Sequence, residues 1–199
     1  ELQNFGVDNF EDYGYYNSLC YAPHFSFVNV VGSESATLDN DFSYYRTTFD
    51  SHTGLYSLAL KANSSIALNK DLIDNNVPQT VSVPYSIDEN RDYVTDFNPT
   101  PGSYMVSAWV KVHRETGADY KFSYLGDAEI EVNNSDVIQP LGPIVEGWQK
   151  IEGSFNFSGG SNFKLELKNT SNSDLVFFDD VRIYPIQASV KSYVYNPLS

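Results

Sequence analysis

The sequence predicts an all-β protein, and three observations carry that prediction. Residues 147–185 read as three strands separated by two punctuated turns. Residues 102–113 alternate over a full strand length, with Tyr104, Val106, Ala108, Val110 and Val112 on one side and Met105, Ser107, Trp109 and Lys111 on the other. Composition agrees: aromatics make up 15% and charged residues only 19%, with 15 Tyr, a balance that suits an all-β extracellular protein better than a helical cytosolic one.

Within residues 147–185, Ile151, Phe155 and Phe157 share one strand face. The run Ser158-Gly159-Gly160-Ser161 breaks that strand. Phe163, Leu165 and Leu167 then oppose Lys164, Glu166 and Lys168, the pattern of a half-buried strand. After a polar turn, residues 175–184 are apolar on both parities at first, as a central strand should be. Leu175, Phe177, Asp179, Val181 and Ile183 share a parity, so Asp179 is a carboxylate pointing where core residues point. Such a group needs pairing, hydrogen bonds or a metal. Two readings stand: a carboxylate at the core rim accepting backbone N–H bonds, or a calcium ligand. Parity alone favours the first. Asp180, on the other parity with Arg182, calls for no special account.

GWQKIEGSFNF followed by VFFDDVRIYP resembles the C-terminal half of the jelly-roll carbohydrate-binding modules attached to bacterial glycan-degrading enzymes. The resemblance covers most of residues 5–185. It implies a jelly-roll β-sandwich of two antiparallel sheets in which the first Asp of the apolar-Asp-Asp-Val motif, here Asp179, helps hold a structural calcium. Phe10-Glu11 is similar to an early Phe-Glu pair of those modules, which makes Glu11 the second calcium ligand; the alternative is a solvated acidic turn of Asp8, Glu11 and Asp12. A jelly roll brings its terminal strands together, so one ion would tie both ends of the chain. Thr53-Gly54-Leu55-Tyr56-Ser57-Leu58 resembles a turn whose carbonyls complete that calcium shell.

The remaining elements follow in order. Residues 25–31 and 42–49 are strand-like. After the turn at Thr53-Gly54, Tyr56, Leu58, Leu60 and Ala62 share a face; His52, just before it, is read as a structural hydrogen-bonding residue. A strand is expected around Ile66 and another over residues 77–87, followed by a loop rich in Asp, Asn and Pro over 88–101. Such loops often carry ligand contacts, and Tyr85 and Tyr93 flank or occupy this one. Trp109 lies opposite the core set of its strand, a candidate platform for a sugar ring; burial of Trp under a loop is the commoner outcome and the favoured one. Tyr120, Phe122 and Tyr124 are expected on one face of a strand, with Ala128, Ile130 and Val132 on the next after a Gly126-Asp127 turn. Residues 135–146 read as loop, and Trp148 as a packing residue.

The totals narrow the function. A formal net charge of −14 disfavours nucleic acid and acidic lipid surfaces as partners. No apolar run approaches a membrane span, so no membrane insertion is expected. Cys20 is the single cysteine and cannot form an intramolecular disulfide. Asn-x-Ser/Thr triplets begin at Asn63, Asn133, Asn156 and Asn169 and matter only in a glycosylating source. Cys20 and the three His have no nucleophile or zinc context, and neither a Gly-x-Ser-x-Gly elbow nor a phosphate-binding glycine loop occurs. A non-enzyme is therefore expected.

The expectation is a domain over residues 1–186 with a connector over 187–199. The tail KSYVYNP is similar to the connector before tyrosine-rich YD (Rhs-like) repeats of large bacterial surface proteins, a resemblance that implies one module of a longer secreted or surface chain with adjacent domains. With no signal peptide and no initiator Met, the sequence reads as an excised segment or a mature product. The expected function is binding of a polysaccharide or cell-surface glycan through Trp109, Tyr85 and Tyr93, with structural calcium at Glu11 and Asp179. The alternative is a structural or adhesive spacer with no glycan ligand.

Overall fold

A long antiparallel ladder rolled into two layers accounts for the strand pairing. The computed structural model describes residues 6–8, 10, 37–38, 41–71, 99–114, 122–160 and 162–188. In chain order the strands are β1 (Gly6–Asp8), β2 (Tyr44–Thr47), β3 (Ser57–Leu60), β4 (Ser64–Asp71), β5 (Gly102–His113), β6 (Ala128–Val132), β7 (Asp136–Ile138), β8 (Gln149–Phe157), β9 (Asn162–Asn169) and β10 (Leu175–Pro185). Strand β3 pairs with β10, β4 with β9, β5 with β8 and β6 with β7, all antiparallel. Rolling that ladder sets β10 against β5 and β9 against β6. The result is one sheet ordered β2-β3-β10-β5-β8, with β1 also on β10, facing a second ordered β4-β9-β6-β7. This alternation between two sheets is a jelly roll, an all-β sandwich in which the exposed edges are few. The first strand lies along the last, Gly6 opposite Ile183 and Asp8 opposite Val181, as the expected meeting of the termini requires.

The two-residue periods read from the sequence supply the core. Tyr104, Val106, Ala108, Val110 and Val112 of β5 meet Phe163, Leu165 and Leu167 of β9, with Ile151, Phe155 and Phe157 of β8, Leu58 and Leu60 of β3 and Ala128, Ile130 and Val132 of β6. Each large apolar side chain buried here stabilises by about 1.5–3 kcal/mol relative to exposure. Gly153 of β8 faces the core where a Cβ would lie 2.8 Å from Ile138 Cγ2, so the sheets approach closely there. The outer face of the smaller sheet is a charge lattice: Lys164 pairs with Glu166 at 2.9 Å, and Lys168 pairs with Glu129 and Glu131.

Three expectations change. Strand β10 slips register between Asp179 and Arg182, with Asp180 at φ 50°. This β-bulge reverses the parity of the strand. Val176 and Phe178 face the core before it, and Val181 and Ile183 after it. Phe177 and Asp179 therefore point to the outer face of the larger sheet, and Asp179 is not a core-side acid. Second, residues 122–124 form no strand; Phe122 is 96% exposed while Tyr124 is buried, so they do not share a face. Third, β7 lies inside the stretch expected as loop. The expected strands over 25–31 and 77–87, and the residues Glu11, Tyr85 and Tyr93, lie outside the described residues.

A second, smaller cluster sits on the outer face of the larger sheet. Tyr45, Ala59, Trp148 and Phe177 are buried there, with Leu38 and Trp109 packed against them. The candidate site is built on this layer.

Candidate functional site

The bulge gives the site its foundation. By placing an extra residue in β10, it aims two consecutive carboxylates at the segment 50–54, which precedes β3. Asp179, with 0% of its surface exposed, accepts the His52 amide at 2.8 Å and the Thr53 amide at 3.0 Å on Oδ2, and the Asp180 amide at 2.6 Å on Oδ1. Asp180 Oδ2 lies 2.8 Å from His52 Nδ1, and its Oδ1 accepts the Thr53 hydroxyl at 3.1 Å. Burial pushes the Asp179 carboxyl up to about 8, with the neighbouring Asp180 charge adding to the rise and the amide donors from Thr53, Asp180 and His52 opposing it. Three donors thus hold a carboxyl that burial would otherwise make still harder to ionise.

Held this way, the segment lies over β5. The His52 ring stacks on Trp109 at 4.3 Å between centroids and 14° between planes, and meets the Trp148 ring edge-on at 5.6 Å. Trp109 is half-buried on the face opposite the core, beside its register partner Asp179. Trp148 comes from a tight reversal in which Val145 and Trp148 exchange backbone hydrogen bonds of 2.8 Å in both directions. Its two central residues, Glu146 and Gly147, have φ of 51° and 85°, the left-handed pair of a type I′ hairpin turn. Gly147 also lies under the stem of Lys111, whose Cε would be 2.8 Å from a Cβ at that position. The Lys111 ammonium pairs with Asp50 at 2.5 Å and sits 5.8 Å from the centre of the Trp148 ring. Trp109, Trp148, His52, Lys111, Asp50 and Glu146 thereby line a cleft of about 290 Å³. Aromatic surface beside a few convergent polar groups is the chemistry of a small-ligand site.

Among the residues singled out from the sequence, the structure brings Trp109 and Asp179 together. Tyr85, Tyr93 and Glu11 fall outside the described residues. Asp179 was set beside calcium by resemblance. Its Oδ2 already accepts two amides and its Oδ1 one, so of the roughly four lone-pair directions of a carboxylate about one, on Oδ1, stays open. The turn at His52 and Thr53 presents N–H groups to Asp179, and an N–H cannot ligate a cation. Among the described residues no group of three or more His, Cys, Asp or Glu is placed to hold a metal. Sequence reasoning did not single out Asp50, Lys111, Glu146 or Asp180 for a site. Gly147 marks a turn beside Glu146; the other three carry no local signal.

No family model matches the chain, and no curated protein sequence matches it. Among solved structures it is similar to TmCBM61 in complex with β-1,4-galactotriose, at 12% identity over 72% of this chain and 82% of that one, with a TM-score of 0.40. It is also similar to the CBM6cm-2 module of Cellvibrio mixtus lichenase 5A in complex with cellotriose, at 14% identity over 75% and 92% of the two chains, TM-score 0.38. A third is the CBM22-1–GH10 portion of Clostridium thermocellum xylanase Xyn10B complexed with xylohexaose, at 16% identity over 77% of this chain and 26% of that one, TM-score 0.42. Fold and cleft together define a jelly-roll β-sandwich with a depression, lined by charged side chains and two Trp, on the outer face of its larger sheet.

Proposed function

We propose that this chain is a non-catalytic carbohydrate-binding module of a secreted or surface-anchored bacterial protein, with the domain over residues 1–186 followed by a connector. The observation that carries the reading is the cleft between Trp109 and Trp148. A sugar ring has an apolar C–H face and a rim of hydroxyls, and it is recognised by an aromatic surface flanked by charged or amide groups. Here the half-buried Trp109 indole, backed by the buried Trp148, supplies the surface, and Asp50, Lys111 and Glu146 supply the rim. The resemblance of the GWQK and VFFDDVRIYP segments to carbohydrate-binding modules supports the same conclusion.

The test is retention of the chain on a panel of immobilised polysaccharides. Trp109→Ala should abolish retention while the thermal unfolding transition persists. Unchanged retention removes Trp109 from the site. The spacer reading is favoured by a separate observation: the His52 ring covers one side of Trp109 and the Asp50–Lys111 pair already uses two of the polar groups. A spacer shows no retention across the whole panel. Calcium at Glu11 and Asp179 belongs to the same proposal; it predicts a lower melting temperature in chelator, and a transition indifferent to chelator and added calcium sets it aside.

A further inference from the structure

The charge arrangement of the cleft bears on which sugars it admits, an inference that rests on the carbohydrate-binding reading above. Two carboxylates, Asp50 and Glu146, and one ammonium, Lys111, line it. Lys111 is not available to a ligand anion, because its ammonium is paired with Asp50 at 2.5 Å and its stem is fixed against Gly147. Glu146 sits exposed at the tip of the hairpin turn, and among the described residues it has no ion-pair partner. The His52 ring, the other side chain in the cleft that can carry a positive charge, is turned with Nδ1 toward the Asp180 carboxylate 2.8 Å away. A ligand entering beside the indoles therefore meets carboxylate oxygens as acceptors and no uncommitted cation. Those acceptors suit hydroxyl donors. They repel a ligand carboxylate, and the −14 charge of the whole chain adds to that repulsion at longer range.

We infer that the cleft selects uncharged sugars and rejects uronic acids, with Glu146 as the residue that enforces the rejection. A specificity built this way is partly repulsive: it removes a competitor and need not tighten the correct ligand.

Affinity electrophoresis of the full chain tests this, with each neutral polysaccharide of the panel run beside its own C6-oxidised, uronate-bearing counterpart. The two members of a pair then differ in the carboxylate alone. Retardation by at least one neutral polymer and at least tenfold weaker retardation by its oxidised form is the expected result. Running the pairs at 0.5 M salt screens the long-range field and should leave most of the difference, because a direct contact of about 3 Å is shorter than the Debye length of about 4 Å at that salt. Glu146→Lys should raise retardation by the oxidised polymer at least fivefold. Glu129→Lys, on the outer face of the other sheet, makes the same change in net charge and should not. Equal retardation by the two members of a pair, or equal effects of the two lysine variants, overturns the inference while leaving carbohydrate binding intact. Retardation by neither member of any pair overturns both.

Discussion

Asp179→Asn separates the two physical roles of the buried acid at the bulge. In the folded chain burial raises its pKa from 3.8 to about 8. Between those values the folded state keeps a proton that the unfolded state has lost, so stability contributed at this site is complete below about pH 4 and is lost as pH rises toward 8. The slope is about 1.4 kcal/mol per pH unit, an upper limit of about 5–6 kcal/mol over the interval. Asparagine does not titrate. Its oxygen can still accept the amides of His52 and Thr53, but its NH₂ group then faces the Asp180 amide, donor against donor. Leaving that amide unsatisfied costs about 1–3 kcal/mol at any pH. Wild type should therefore be the more stable protein near pH 4, and the variant the more stable near pH 8, with the curves crossing about one to two units above the lower limit. For a chain of this length each kcal/mol moves Tm by about 2–4 °C, which thermal melts monitored by circular dichroism resolve. The melts belong in chelator first. Parallel pH profiles for the two proteins would refute the burial argument. Repeating the series in saturating calcium makes the metal visible as a change of sign: an ion on Asp179 stabilises the ionised form, and the wild-type curve then rises with pH.

Two further substitutions test the packing. Gly153→Ala places a methyl 2.8 Å from Ile138 Cγ2 and should cost about 1–3 kcal/mol in urea unfolding, and less when made in an Ile138→Ala background, which removes the γ and δ carbons it meets; absence of any cost would mean that the sheets can part at this point. Asn169 donates to the Leu60 and Asp174 carbonyls at 2.8 Å each and accepts from the Ser171 amide at 2.9 Å, tying the end of β3 to the β9–β10 turn. Asn169→Ala should lower stability by about 2–4 kcal/mol, and a loss within the error of the urea midpoint would show that water replaces those bonds.

The faces of β5, β6, β8 and β9 were legible because a period of two is a local property, visible in any few consecutive residues. The same rule misplaced Asp179. A bulge inserts one residue against a partner strand, so it belongs to the pairing of β10 with β5 and leaves no mark on the sequence of β10 taken alone. The resemblance to carbohydrate-binding modules anticipated the pairing of the first and last strands. Trp109 was placed correctly on the face away from the core, yet its surroundings were not legible. His52 reaches it because its amide is held by a residue 127 positions away.

Alternating hydrophobicity, turn residues and few charges were enough to settle that this chain folds as β-sheets and which side of most strands is buried, since each strand must bury one face regardless of its neighbours. The cleft was decided only in three dimensions. Its lining comes from residues 50–52, from 109 and 111, and from 145, 146 and 148, segments that share no local pattern. They converge because the rolled ladder and its one-residue slip place them over the same outer face.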